Sequence, residues 1–174
     1  MPSEYEEHWI ETYTGKKFHY LKPTVDEIDI VDIAHSLALK TRFSGHCKTF
    51  YSVAEHSIMV AKLLPQELKL SGLLHDVAEA YIPDIPRPIK ATFGLKPVED
   101  KILQVIYAKY NTFPSPKIME ADDVLIATEA RDLMENTDGW AKLPEPLKAK
   151  IVPVRWQTAE LRFLIAFYLL TARA

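Results

Sequence analysis

Gly72-Leu-Leu-His-Asp-Val-Ala-Glu79 decides how this chain is read. Its apolar residues fall at helical spacing, yet two adjacent metal-ligand types, His75 and Asp76, lie in the middle and a glutamate follows one turn later. Buried His and Asp need partners, and a divalent cation satisfies all of them together. As neighbours on one helix, His75 and Asp76 diverge by about 100°, so an ion meets both only at the edge between their directions. Glu79 falls at helical spacing from both and shares their face.

Outward from this stretch the pattern is helical almost everywhere. Pro65 opens the helix that carries it, through Leu68, Leu73, Leu74 and Val77 to about Ala80. Before it, Ser52-Val-Ala-Glu55 reads as a capping box that opens a helix to about Leu64. Asp29 caps an earlier helix to about Arg42, with Ile30, Ile33, Ala34, Leu37 and Ala38 on one face. Residues 43–49 read as a loop. At the N-terminal end, Trp9 to Tyr20 alternates as two short strands around Thr14-Gly15, a small hairpin whose Lys16-Lys17 belongs to a solvated face. After the site stretch, three prolines in Tyr81-Ile-Pro-Asp-Ile-Pro-Arg-Pro-Ile89 predict a stiff, extended loop. Helices follow over about Pro97–Tyr110, Lys117–Met134 and Gln157–Ala172, with residues 136–153 irregular apart from a turn near Leu147. The expectation is one all-α domain over residues 1–174, a helical bundle with a minor β-hairpin.

Composition narrows the function classes. A net charge of −3 argues against nucleic acid as the main partner. The single cysteine, Cys47, allows no internal disulfide, and beside His46 it makes no zinc motif. The acidic N-terminus lacks the apolar segment of a signal peptide. The apolar run Phe163–Leu170 is too short to span a bilayer and reads as core or as an oligomer contact. A cytoplasmic, self-associating protein without membrane contact is expected.

The ion at His75-Asp76 needs donors from elsewhere. His56 comes from the preceding helix. Asp122, next to the buried stripe Ile118, Ala121, Leu125 and Thr128, is the better fourth ligand, and Asp123 is the alternative one position further towards solvent. Two His and two Asp suit Mn, Co, Fe, Ni or Zn better than Ca, with Mg admitted. Such an ion neutralises a phosphate oxygen and acidifies water, and Glu79 is placed to orient or deprotonate that water.

The ordered set His56, His75-Asp76 and Asp122 resembles the H…HD…D pattern of the HD-domain metal-dependent phosphohydrolases, over most of the chain. Three more stretches resemble the small HD nucleotidases, which include bacterial 5′-deoxyribonucleotidases and phage dATP triphosphohydrolases. These are Arg42-Phe43, Ser52-Val-Ala-Glu-His56-Ser, and His75-Asp-Val-Ala-Glu79 followed by Asp84-Ile-Pro-Arg-Pro-Ile-Lys90. The resemblance implies the HD helical bundle and a reaction, hydrolysis of the 5′-phosphate ester of deoxynucleotides. It also implies roles: Glu79 activates water, Asp84 helps position the substrate, Arg42 and Lys90 hold phosphate, and Phe43 with Pro88 flanks sugar or base. The family pair is often Arg-Trp; here it is Arg-Phe, which bears on sugar discrimination.

Two substrates fit the same set. A monophosphatase releases phosphate; a triphosphohydrolase cuts the same bond, releases triphosphate and needs more cations, for which Arg87, Lys90 and Lys96 are the candidates. Cyclic-dinucleotide and alarmone hydrolases fit less well, since Gly-Tyr-Pro is absent and Ala80 follows Glu79. From a different class, a silent HD module would bind nucleotides without turnover. Plain alternatives stand beside each site residue: Glu79 as an ion-pair partner of Arg87 or Lys90, Arg42 as a cation at a helix C-terminus, Phe43 and Pro88 as ordinary packing. His35 reads as structural.

Overall fold

Asp29 starts the first helix as the sequence requires: its side chain accepts the Val31 N–H at 2.9 Å. The computed structural model describes residues 8–140 and 142–172, with the side chains of Arg87, Pro88 and Ala91 outside the description. Helix α1, Ile30–Leu39, buries Ile30, Ile33, Ala34, Leu37 and Ala38, the face its periodicity marks. It stops at Leu39, short of Arg42. The chain leaves it because residues 40–42 pair with the entry to the next helix: Val53 N–H donates to Lys40 O and Arg42 N–H to Tyr51 O, both at 2.9 Å.

Helix α2, Val53–Leu63, begins with the full capping box of Ser52 and Glu55. Glu55 also accepts the Val154 N–H at 2.8 Å, which ties the irregular segment before the last helix to this cap. Upstream, β1 Ile10–Glu11 and β2 Lys17–Phe18 pair antiparallel as the expected hairpin. Asp32 of α1 holds its turn through the Thr14 N–H at 2.6 Å and the Thr14 hydroxyl at 2.9 Å. Phe18 stacks on Tyr81 with ring centroids 3.7 Å apart.

The single helix expected from Pro65 to Ala80 is instead broken. A 3₁₀ turn over Gln66–Leu68 leads into the short α3, Lys69–Leu73, and a second 3₁₀ turn covers Val77–Ala80. Leu74 (φ −100°, ψ 11°) and Asp76 (φ −104°, ψ 13°) leave α-helical geometry between them. At the break the His75 ring bonds Gly72 O at 2.7 Å; past it Lys40 donates to Glu79 O, to Ala80 O at 2.9 Å and to Ile82 O at 3.5 Å. The proline-rich loop also ends early. Helix α4, Arg87–Phe93, carries a proline in its first turn, where no N–H is needed, and ends on Gly94 at φ 62°.

Helices α5 (Lys96–Tyr110), α6 (Pro116–Leu133) and α7 (Trp156–Thr171) follow the sequence reading to within one residue at each end. Residues 136–140 and 142–153 are irregular, and no helical turn forms near Leu147. The apolar core lies in two clusters. Ile33, Leu37, Leu73, Val77, Ile102 and Phe163 belong to the first, and Tyr51, Val60, Leu64, Ile118 and Leu125 to the second. Each such side chain contributes about 1.5–3 kcal/mol on burial. Helix α2 serves both clusters, and His56 lies on it. Gly72 lets α3 approach α2 closely: a Cβ there would run into the Leu64 side chain and come within 3.5 Å of the Ala61 Cα. No described helix is long and apolar enough to cross a membrane. The run Phe163–Leu170 divides: Phe163 and Phe167 are core, while Ile165, Tyr168 and Leu169 are exposed.

Candidate functional site

The break at residues 74–76 gives His75 and Asp76 their geometry. On a regular helix the two side chains would diverge; here both turn to one place. His75 Nε2 lies 3.2 Å from Asp76 Oδ2 and 3.3 Å from His56 Nε2, and His56 Nε2 is 3.5 Å from Asp76 Oδ2. The ligand atoms of His56, His75 and Asp76 all lie within 4.8 Å of one another, a grouping that can hold a metal ion. Asp122 reaches the same corner from α6, its Oδ1 3.2 Å from His56 Nε2.

The donor set fits a cation. Both Nδ1 atoms are engaged, His75 with Gly72 O and His56 with Glu129 Oε1 at 2.7 Å, so both Nε2 atoms face the shared point. Charge says the same. Asp76, Asp84, Glu79, Asp122 and Glu129 crowd around three side-chain cations, Arg42, Lys90 and Lys40. Acids in surplus within a protein interior call for positive charge. They raise His56 itself: burial and Arg42 push its imidazole down, but Glu129 and the hydrogen bonds to Asp122 and Glu129 outweigh them and lift it to about 10. A metal and that proton compete for one nitrogen.

Asp76 is held well below the carboxylate range. Burial opposes its ionisation, but His75, His56 and Arg42 overcome it. Glu79 goes the other way. Burial, then the charges of Asp76 and Asp84, push it up to about 8 despite Arg42 and Lys90. It is 2% exposed, Lys90 Nζ reaches its Oε1 at 3.3 Å, and its Oε2 is buried without a hydrogen-bond partner among the described residues. Lys90 is shared with Glu99 at 3.0 Å.

Arg42 does not sit at a helix C-terminus, the plain alternative to a phosphate contact. It is buried beyond α1, its guanidinium 3.6 Å from Asp76, 3.7 Å from Asp84 and 3.3 Å from Glu129. The next residues, Phe43 (φ 53°) and Ser44 (φ 52°), are left-handed, a conformation disfavoured outside glycine. That turn sets the Phe43 ring 5.4 Å from the Arg42 guanidinium carbon and 5.8 Å from Trp140. Pro88, the other expected platform, lies outside the described side chains. His35 is structural, stacked on Tyr13 at 3.7 Å and 3.3 Å from Glu160.

No protein-family model matches the chain. Relatives do. The chain is 45% identical over 128 residues to the Escherichia coli K12 "Uncharacterized protein YfdR", an overlap of 72% of each chain. It is also 30% identical over 168 residues to the "Uncharacterized protein RCAP_rcc00048" of Rhodobacter capsulatus, covering 84% of this chain and 86% of the relative. The chain belongs to the family of YfdR.

In this member of the YfdR family, three site residues escaped sequence reading. Glu129 follows Asp122 by two helical turns and therefore shares its face, a signal that was present. Lys40 and Trp140 arrive through tertiary contact alone. Glu129 should also set an acid limit on the fold. Burial alone would raise its carboxyl, but His56 and Arg42 hold it below its ordinary 4.5. A depressed folded pKa gives stability that is present above 4.5 and lost as pH falls through the folded value. Thermal melts from pH 7 to 3 should show the decline beginning near 4.5. Glu129→Gln should flatten that step; an unchanged profile would assign the acid loss elsewhere. Each kcal/mol corresponds to about 2–4 °C in Tm.

Proposed function

We propose that this chain is an HD-type, metal-dependent phosphohydrolase that removes the 5′-phosphate of deoxynucleotides, with deoxynucleoside 5′-monophosphates as substrates. The observation that carries the reading is one convergence: two imidazole nitrogens and the Asp76 carboxylate at a shared point, beside a buried glutamate with a raised pKa. A bound divalent ion supplies charge for a phosphate oxygen and lowers the pKa of water. Mn, Co, Zn and Fe suit the two-His, two-Asp donors, and Mg is admitted. Glu79 takes the water's proton at Oε2, the oxygen without a hydrogen-bond partner among the described residues. A group poised near neutrality does this best, and burial beside Asp76 and Asp84 brings Glu79 to about 8. Asp84, whose carboxyl burial also raises, positions the substrate beside Arg42. Arg42 and Lys90 hold the phosphate, and Phe43 borders the sugar or base.

Monophosphates are favoured over triphosphates by the surrounding cations. Lys90 is already shared by Glu79 and Glu99, and Lys96 pairs with Asp100 on an exposed face. These two lysines form no cluster for two further phosphates among the described residues; Arg87, the third candidate, lies outside the described side chains. The test is a panel of deoxy- and ribonucleoside mono- and triphosphates with Mn, Co, Mg and Zn, with products identified. Triphosphate release would reverse the preference. No release from any nucleotide by metal-loaded protein would leave a silent binding module. Lys90→Ala should raise KM about 10–100-fold with kcat kept, the value of one charge-assisted hydrogen bond. A fall in kcat alone would place Lys90 in the chemistry instead.

A further inference from the structure

Glu129 is a carboxylate with no solvent contact, and its two oxygens go to two different cationic partners. Oε1 meets His56 Nδ1 at 2.7 Å, and Oε2 meets an Arg42 guanidinium nitrogen at 3.3 Å. His56 is equally closed to solvent, and its other nitrogen faces His75, Asp76 and Asp122. A carboxylate in this position fixes where the imidazole keeps its proton. With Nδ1–H donated to Glu129, the Nε2 lone pair points at the ion.

The Arg42 branch fixes the carboxylate in place. Glu129 Oε2 lies 3.3 Å from the guanidinium, which is itself held by Asp76 at 3.6 Å and Asp84 at 3.7 Å.

We infer that Glu129 is a positioning residue for the metal centre: it holds His56 by Nδ1 so that Nε2 is left for the ion, and Arg42 anchors its other oxygen. This rests on the metal reading of His56, His75 and Asp76.

Glu129→Gln is the informative change because it is isosteric. If the amide oxygen stays on His56, the NH₂ group faces the Arg42 donors. If the amide flips, NH₂ meets Nδ1 and the imidazole proton moves to Nε2, against the ion. Either arrangement breaks one branch. Two measurements on the full chain test the inference. Co²⁺ titration should show Glu129→Gln binding about 10–100-fold more weakly than wild type, the usual loss for an outer partner of a ligand histidine, with far-UV circular dichroism unchanged. Long-range ¹H–¹⁵N NMR of the Zn²⁺-loaded wild-type protein should place the His56 proton on Nδ1, a result independent of whether any variant folds. Equal Co²⁺ affinity in folded Glu129→Gln, or a proton on Nε2, overturns the role of Glu129 while the metal site stands. A wild-type protein that binds neither ion overturns the metal reading and the inference with it.

Discussion

Asp76→Ala should lose divalent metal by more than about 100-fold in affinity, because loss of an outer partner alone costs about 10–100-fold and Asp76 is proposed as an inner donor. Its carboxylate meets both ligand histidines, at 3.2 and 3.5 Å, and is held ionised by them and by Arg42. No neighbour takes its place: Asp122 approaches from α6 on the His56 side, and Asp84 is turned to Arg42. The fold should survive, since Arg42 keeps Glu129 and Asp84 as partners. Metal content after gel filtration, read with a thermal melt, checks both halves. Near-normal metal retention in folded Asp76→Ala would remove Asp76 from the ligand set. A second consequence is local. The charge of Asp76 is one of the causes lifting Glu79, so the Glu79 carboxyl should titrate lower in this variant.

Why Asp76 can act with His75 at all was not legible in the sequence. Leu73, Leu74 and Val77 keep helical spacing, and nothing local between them breaks a helix. At the break the His75 ring takes Gly72 O, and beyond it Lys40 draws on the carbonyls of Glu79, Ala80 and Ile82. Both are contacts that periodicity cannot encode. Caps, by contrast, are written locally: Asp29 and the Ser52–Glu55 box start their helices where their side chains predict. The proline-rich segment misled for a third reason. Proline is forbidden inside a helix but welcome in its first turn, and Pro88 lies there, so α4 begins inside the expected loop. Among the site residues, His56 and Asp122 were readable because each shares a face with buried neighbours. The helix was read as running to Arg42 because the departure of the chain at Lys40 depends on Tyr51 and Val53, which pair with residues 40–42 from beyond the loop.

Glu79→Gln should lower kcat by about 10²–10⁴, the usual contribution of a positioned base, and leave metal affinity unchanged. Glutamine keeps the shape and can still accept from Lys90, so only the proton acceptor is lost. The rival role is an ion pair with Lys90, 3.3 Å away, and stability separates the two. The folded pKa of Glu79, about 8, lies above its ordinary 4.5. The folded state therefore binds more protons than the unfolded state between those values, and stability falls as pH rises through that window. Above about 8 the buried charge opposes folding in full. Glutamine has no such charge, so at pH 8 to 9 the variant should melt at a higher temperature than wild type while turning over far more slowly. Loss of function with gain of stability marks a group kept for chemistry. A variant that melts lower and retains most of its turnover would make Glu79 the partner of Lys90 and return the search for the base to Asp84.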